Sequence, residues 1–280
     1  MNQKLLNAAN MIIESLLHYN VDLFYKWKFF RMKSKFIKNL KAREPFLKTT
    51  EDSKIIYDNY GDREQKEWES KSVRCLYNNQ IVMLTIKEIK IHYLKYLYEE
   101  ISPIRADNKP IRILEVGCGN CINLVDLKKT FGTFVELYGI DISKNRINVA
   151  KNYFGEKLSD VNLQPKSITE KTCWDDNYFD LVFSMHCLEQ IPYKVEDALR
   201  EMYRLTNKKL VLIEPVIEFG NPAQRLYLYV SDHNRILLRT IKNLAYHISR
   251  IEPLNIQSNP LNQSSIIVIG KGELNDVLRR

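Results

Sequence analysis

Hydrophobic positions in the second half of the chain follow two alternating patterns. From Ile111 onward, short apolar runs bounded by turn residues alternate with segments of helical periodicity, which is typical of βαβ units and a parallel sheet. Predicted strands lie near residues 111–116, 136–141, 161–167, 180–185, 210–215, 252–258 and 265–271. A short Asn-Pro loop joins the last two, which predicts an antiparallel hairpin at the sheet edge. The expected fold is therefore α/β: a doubly wound, Rossmann-like sheet of seven strands with an antiparallel last strand.

The first hundred residues are dominated by helical spacing. Apolar residues predict an amphipathic helix over 3–19 and a second helix from Thr85 to Ile101, which leads into the first strand. We therefore expect an N-terminal helical extension with two parts: a basic amphipathic arm at residues 1–48, and a helical lid or cap at 49–105. Residues 106–280 form the α/β domain, with an insertion at about 216–238.

The charge of the protein is concentrated in the arm. The net charge is +8, and residues 1–48 alone carry ten Lys and Arg against three Asp and Glu. Within the arm, residues 24–30 interleave aromatic side chains with lysines. Three roles fit this pattern: a solvated helix whose aromatic face covers the enzyme body, a helix on an anionic membrane surface or acidic partner, and nucleic-acid binding by base stacking. No RNA-binding module supports the third, so nucleic acid is the least favoured partner.

Composition narrows the protein class. There is no run of about 18 uncharged apolar residues, and the N-terminus lacks the apolar segment of a signal peptide. Five cysteines, odd and scattered, are typical of reduced thiols in a cytosol. We expect a cytoplasmic protein, with peripheral membrane association among the open roles of the arm. No ligand set for a metal is visible, since Cys118 and Cys121 lie inside a glycine turn without a second pair.

The strongest candidate for chemistry is the segment Ile113–Asn120. An apolar run containing Glu115 is followed by Gly117 and Gly119, and a glycine turn lets the backbone approach a ligand closely. The spacing differs from the G-x-G-x-x-G of a dinucleotide site because residue 122 is Ile, and no P-loop lysine follows. Asp141 ends the next strand, where a nucleoside ribose finds its hydrogen-bond acceptor. The alternative role for Asp141 is to cap the helix that follows.

Four segments together resemble the conserved blocks of class I S-adenosylmethionine (SAM) methyltransferases. They are residues 113–120, 135–141, 179–192 and 209–215, in the family's order and at workable spacings. The resemblance implies SAM as cofactor, with Glu115 near its methionine end and Asp141 on both ribose hydroxyls. It also implies that residues 56–60 are the tyrosine-bearing segment that folds over the cofactor, with packing of an N-terminal helix onto the core as the alternative. The further cofactor contacts expected are Gly117, Cys118, Gly119, Ile142, Ile168, Ser184 and Tyr60.

Methyl transfer needs mainly proximity and orientation, and it needs a base only when the nucleophile must lose a proton. Candidate catalytic bases are His186, after the fourth strand, and His233, in a segment that resembles the family's H-x-R block. Plain packing is the alternative for each. The histidine usual after Leu188-Glu189 is Gln190 here, so no role carries over to it.

The insertion at 216–238 is longer and more aromatic than a minimal fold requires. We expect Arg225, Tyr227 and Tyr229, together with Tyr57, to line the acceptor pocket, which favours a small or lipid-like acceptor. The expected function is SAM-dependent methyl transfer to an O, N or C nucleophile of such an acceptor. Two alternatives stay open: a methyltransferase that grips RNA or protein through the arm, and a non-catalytic SAM-binding or scaffold protein. The sequence leaves the oligomeric state undetermined.

Overall fold

The computed structural model describes residues 20–42, 70–104 and 109–271. The helix expected at 3–19 and the tyrosine-bearing segment with Tyr57 and Tyr60 lie outside these residues. Ten strands are described in these ranges: β1 (Ser72–Tyr77), β2 (Gln80–Thr85), β3 (Ile111–Val116), β4 (Val135–Asp141), β5 (Asn162–Pro165), β6 (Phe179–Met185), β7 (Thr206–Pro215), β8 (Ile248–Pro253), β9 (Ile256–Gln257) and β10 (Ser264–Gly270).

Seven of these strands form one sheet in the order β5-β4-β3-β6-β7-β10-β8. Neighbours from β5 to β7 pair in parallel, and β10 runs antiparallel to both β7 and β8. The predicted doubly wound sheet with its antiparallel last strand is confirmed. The strand expected at 252–258 is placed differently: β8 ends at Pro253, and Ile256–Gln257 pairs with β1 in a second sheet.

Helices cover both faces of the large sheet. Seven α-helices are described: α1 (Val21–Ala42), α2 (Ile86–Ile101), α3 (Ile122–Phe131), α4 (Lys144–Phe154), α5 (Val195–Leu205), α6 (Pro222–Val230) and α7 (Leu237–Asn243). Alternate residues of β6 pack into the hydrophobic cores on opposite faces of the sheet, because side chains along a strand alternate in direction. Leu181 and Phe183 pack with α2, α3 and α4, whereas Val182 packs with α5 and α7. This two-sided burial explains the continuous apolar runs that predict the strands.

A β-hairpin occupies part of the segment that was expected to be helical. Strands β1 and β2 pair across a two-residue turn at Asn78-Asn79, and both turn residues have positive φ. That combination defines the type I′ turn, which matches the twist of a tight hairpin. The prediction of a helical segment over 49–105 is therefore wrong for residues 72–85, whereas helix α2 follows as predicted. Thr85 begins α2 with a capping box that includes Glu88.

Helix α1 packs on the hairpin and on α6. Phe24 is buried in a cluster with Leu76, Ile81, Ala223 and Leu261. The Tyr25 hydroxyl donates a 2.8 Å hydrogen bond to the carbonyl of Pro260. The described part of the arm thus has one face against the body of the protein.

Candidate active site

The main cleft opens at the carboxyl ends of β3, β4 and β6, where ligands of open α/β sheets bind. It has two connected parts, which share Gly117, Arg146, His186 and Gln190 among their walls. The larger part has a volume of about 500 Å³. The smaller part is lined mainly by the carboxyl end of β4 and by the residues after β5 and β6. The larger part is lined by α2, α3 and the loops around 189, 233 and 259.

The glycine turn after β3 forms the floor between the two parts. Gly117 and Gly119 have φ values of 74° and 49°, which glycine adopts without strain. The N–H groups of Gly117 and Cys118 donate to the carbonyl of Ile140 and tie the turn to β4. A Cβ atom at Gly117 would lie 2.4 Å from the Cys187 sulfur. The turn therefore requires a residue without a side chain.

Asp141 lies beneath this turn at the end of β4. Its two carboxylate oxygens accept hydrogen bonds from the N–H groups of Gly119 and Ser143, each at 2.8 Å. Arg146 approaches the same carboxylate at 3.7 Å. Helix α4 is capped by Ser143, whose hydroxyl accepts from the Arg146 N–H, so Asp141 is not its N-cap. The carboxylate instead braces the turn while it lines the smaller part of the cleft.

Glu115 is a buried carboxyl in the wall of the larger part. Asn123 donates to its Oε1 at 2.6 Å, whereas Oε2 has no hydrogen-bond partner among the described residues. Burial raises the pKa of Glu115 to about 8, against the opposing effects of Asn123 and Lys90. A carboxyl this deep in the protein favours its protonated form until a cation or donor approaches it.

Lys90 is a site residue that the sequence analysis missed. It projects from α2 into the larger part of the cleft, with its Nζ 3.5 Å from the sulfur of Met185. Burial lowers the pKa of the Lys90 ammonium, and the carboxylate of Glu115 opposes that shift. A sequence signal existed, because Lys90 shares the helical spacing of Ile86, Tyr93 and Leu97, which faces inward.

A cluster of two histidines and one carboxylate lies across the larger part of the cleft. Glu189 Oε2 is 3.4 Å from His186 Nδ1 and 3.9 Å from His233 Nδ1. It also accepts a 2.7 Å hydrogen bond from Asn262, while His186 Nε2 lies 3.0 Å from the Ser264 hydroxyl. Burial would raise the pKa of Glu189, but the neighbouring histidines and Asn262 lower it to about 2. The carboxylate is therefore anionic at neutral pH and faces both rings. Sequence motifs named the two histidines but not the carboxylate between them.

The structure brings most of the predicted site residues to this cleft. Ile142 and Ile168 line the smaller part, and Cys118 and Tyr227 line the larger part. The Tyr227 ring packs edge-on against His233, with ring centroids 5.5 Å apart.

Three predicted residues lie elsewhere for identifiable reasons. The Ser184 hydroxyl is fully buried and donates to Glu214 at 2.8 Å, where it helps to hold the turn after β6. The Arg225 guanidinium donates to the carbonyls of Gly220 and Glu218. Tyr229 is half exposed, with Arg235 over its ring. Among the described residues, none of the three is part of the cleft wall.

Two features are absent from the described ranges. These ranges contain no group of three or more His, Cys, Asp or Glu side chains arranged to hold a metal ion. Within the same ranges, no helix has the length and apolar character needed to cross a membrane.

Comparison with known proteins decides the family. A family model described as "Methyltransferase domain" matches residues 113–209, from β3 through the cluster to the start of β7. Residues 113–209 carry a methyltransferase domain. The predicted family, and SAM as the cofactor of that family, are confirmed.

The methyltransferase domain has curated relatives of named function. Ubiquinone biosynthesis O-methyltransferase of Pelagibacter ubique is 27% identical over 127 residues, which cover 44% of this chain and 50% of that protein. The enzyme of the same name from Coxiella burnetii is 33% identical over 99 residues, or 35% of this chain and 38% of that protein. The chain thus spans half or less of the length of these curated relatives.

Among solved structures, the [4+2]-cyclase SpnF is similar with a TM-score of 0.61 at 15% identity, covering 81% of this chain and 97% of that chain. At this identity the likeness concerns the fold. A protein named as a cyclase on the same fold illustrates that chemistry must be argued from the site.

Proposed function

We propose that this protein is a SAM-dependent methyltransferase that acts on an O, N or C nucleophile of a small or lipid-like acceptor. One observation carries the proposal: Glu115, Asp141 and the His186–Glu189–His233 cluster all face one continuous cleft at the carboxyl end of the sheet. In this proposal one half of the cleft binds the cofactor and the other half accepts a proton.

The residues present fit the cofactor. The turn at Gly117 and Gly119 leaves room that a Cβ would fill, and Asp141 is an anionic acceptor for ribose hydroxyls. Ile142 and Ile168 offer apolar walls to the adenine ring. Glu115 Oε2 has no partner among the described residues, and Glu115 would hold the ammonium of the methionine moiety by accepting a hydrogen bond from it. The Lys90 amine lies in the same wall and offers a hydrogen-bond donor to a carboxylate.

When bound, SAM would supply a methyl group on a positively charged sulfur. An in-line nucleophile would take the methyl group, and the sulfur would leave as a neutral thioether. The chain positions the acceptor and takes its proton. His186 or His233 accepts the proton on a ring nitrogen as the nucleophile forms its bond to the methyl carbon. The Glu189 carboxylate stabilises the resulting imidazolium, since an opposite charge nearby favours the charged form.

The acceptor class is inferred from the cleft and the relatives. A volume of about 500 Å³ suits a small molecule rather than a nucleic-acid strand. The relatives' names support transfer to oxygen on an acceptor from quinone biosynthesis. We propose in addition that the basic arm at residues 1–48 brings a cytoplasmic enzyme to an anionic membrane surface, where a lipid-like acceptor resides.

Cofactor binding is tested by isothermal titration with SAM. We expect Asp141→Asn to weaken binding by about 1–3 kcal/mol, because one anionic acceptor for the ribose is lost. The matched control is Asp175→Asn, on an exposed residue, which should bind like the parent protein. Absence of SAM binding by the parent protein would refute the proposal. Equal affinity of parent and Asp141→Asn would remove Asp141 from the site.

Catalysis is tested by incubation with methyl-labelled SAM and a host extract, followed by product analysis. We expect His186→Ala or His233→Ala to reduce turnover roughly 10²–10⁴-fold with little change in SAM affinity, and Glu189→Gln to reduce it as well. Tyr229→Phe, on a half-exposed ring outside the cleft wall, is the control. If labelled product forms at the parent rate in both histidine variants, neither residue is the base.

A further inference from the structure

The outward face of helix α1 carries an unusual set of exposed side chains. Leu23, Phe30 and Ile37 are 49%, 69% and 40% exposed, although each is a large hydrophobic residue. Lys26 and Lys33, both exposed, lie between them along the helix. These five positions recur at intervals of three or four, so they share one face. We call them the α1 outer face.

This face is separate from the one that packs on the protein. Phe24 is buried against the hairpin and α6, and Tyr25 is held by Pro260. Burial of these residues fixes the orientation of the helix, so the α1 outer face points away from the body. The structural role of α1 therefore accounts for its inner aromatic residues and leaves Leu23, Phe30 and Ile37 unexplained.

We infer that the α1 outer face docks on an anionic lipid bilayer. Helix α1 with Asn20 contains seven Lys and Arg against one acidic residue, and anionic headgroups complement that charge. Apolar side chains between the lysines can enter the boundary between headgroups and acyl chains. Nucleic acid is a poorer match, because the aliphatic chains of Leu23 and Ile37 cannot stack on bases.

The location of the face relates it to the cleft. Pro260, which accepts the Tyr25 hydrogen bond, neighbours Asn259 in the wall of the larger part. Tyr227 contacts the same cluster as Phe24 and also lines the cleft beside His233. Helix α1 therefore packs on residues that adjoin the larger part of the cleft. The inference rests on the proposed membrane association of the arm and identifies the residues that perform it.

The test is co-sedimentation of the full-length protein with phosphatidylcholine vesicles, with and without phosphatidylglycerol. We expect binding only with the anionic lipid, weakened between low and physiological salt. Lys26→Gln/Lys33→Gln should reduce binding about 25-fold, at roughly fivefold for each lysine. Phe30→Ala should reduce it about tenfold, since the aromatic ring no longer leaves water.

Matched controls exist at the opposite end of the sheet. Phe134 is 76% exposed just before β4, and Lys129 and Lys157 are exposed nearby. Phe134→Ala and Lys129→Gln/Lys157→Gln should bind vesicles like the parent protein. The inference is overturned if the parent ignores anionic vesicles, if the α1 variants bind like the parent, or if the controls lose as much affinity.

Two further measurements separate this inference from the methyltransferase proposal. SAM affinity in solution should be unchanged in every α1 outer-face variant, because no outer-face residue lines the cleft among the described residues. If the parent protein does not bind SAM, the proposed activity is refuted, whereas the result for vesicle binding is unaffected. If the parent binds RNA with a steep salt dependence and ignores vesicles, nucleic acid is the partner and the membrane inference is wrong.

Discussion

At the scale of single residues, the cleft contains two carboxyl groups with opposite electrostatic surroundings. The pKa of Glu189 is lowered to about 2 because two histidines and the Asn262 amide face it. The pKa of Glu115 is raised to about 8 because burial outweighs the opposing effects of Asn123 and Lys90. Groups whose environments separate their pKa values in this way are typical of sites that bind charge and transfer protons.

Glu115 should make the stability of the cofactor-free protein depend on pH. Its pKa is about 8 in the fold against 4.5 ordinarily, so the folded state holds a proton that the unfolded chain releases between these values. Its contribution to the free energy of unfolding therefore falls as pH rises from about 5 to 8, by on the order of 2–4 kcal/mol. Urea denaturation at several pH values measures it.

Glu115→Gln isolates this effect, because the amide keeps a carbonyl for Asn123 but does not titrate. The difference in unfolding free energy between parent and variant should change steadily across pH 5 to 8. Glu189 does not interfere, since its lowered pKa of about 2 places its own loss of stability in the acid range. A difference that stays constant across the window would show that Glu115 titrates normally.

At the scale of elements, the glycine turn joins β3, β4 and the segment after β6. The Gly117 N–H donates a hydrogen bond to the carbonyl of Ile140 on one side, and the Cys187 side chain packs closely against Gly117 on the other. The same turn is the floor of the cleft, so its backbone path decides both the packing of the strand ends and the shape of the cleft.

Gly117→Ala should therefore be more damaging than alanine at another glycine of positive φ. Gly132 is the matched control, because its φ of 55° is also positive but no atom of the described residues lies within 4 Å of a Cβ there. Gly132→Ala is expected to cost about 1–3 kcal/mol from backbone strain alone, because the φ of 55° and ψ of −128° at Gly132 lie outside the αL region. Gly117→Ala adds the clash with Cys187, a further 1–3 kcal/mol or so, and should weaken SAM binding.

Chemical denaturation and SAM titration of the two glycine variants measure this difference. Equal losses of stability would mean that Cys187 moves aside without cost. Retention of full SAM affinity in Gly117→Ala would mean that the turn does not touch the cofactor.

At the scale of the whole molecule, α1 joins the extension to the domain through one face and presents the other to solvent. Phe24 is 3% exposed and Phe30 is 69% exposed, although both are phenylalanines on the same helix. The two roles left open by the charge pattern, a structural cover and a docking surface, thus belong to different faces of α1.

Alanine at these two positions should separate the roles. Phe24→Ala leaves a cavity among Leu76, Ile81, Ala223 and Leu261, and we expect it to lower the free energy of unfolding by about 3 kcal/mol. Phe30→Ala should change it by less than about 0.5 kcal/mol. Urea denaturation of both variants gives the values. A small effect of Phe24→Ala would show that α1 contributes little to the fold.

The sequence by itself determined the sheet, the glycine turn and the candidate histidines, because these depend on local patterns. Buried parallel strands are continuous apolar runs, and a close backbone approach needs glycine within a few residues. Asp141 could be named for the same reason, since its position follows directly from the end of β4. The helix beginning at Thr85 was also a local signal.

Only the tertiary structure decided which distant side chains meet. Glu189 accepts a hydrogen bond from Asn262, which is 73 residues away in the sequence, and Lys90 contacts Met185, which is 95 residues away. No local pattern could therefore pair these residues. The same holds for β9, which leaves the predicted hairpin to pair with β1. Ser184 and Arg225 had suitable sequence positions and chemistry, but each donates its hydrogen bonds outside the cleft. Ser184 donates to Glu214, and Arg225 donates to the carbonyls of Gly220 and Glu218. Local patterns fix which elements form, whereas the competition among long-range contacts fixes which residues make the site.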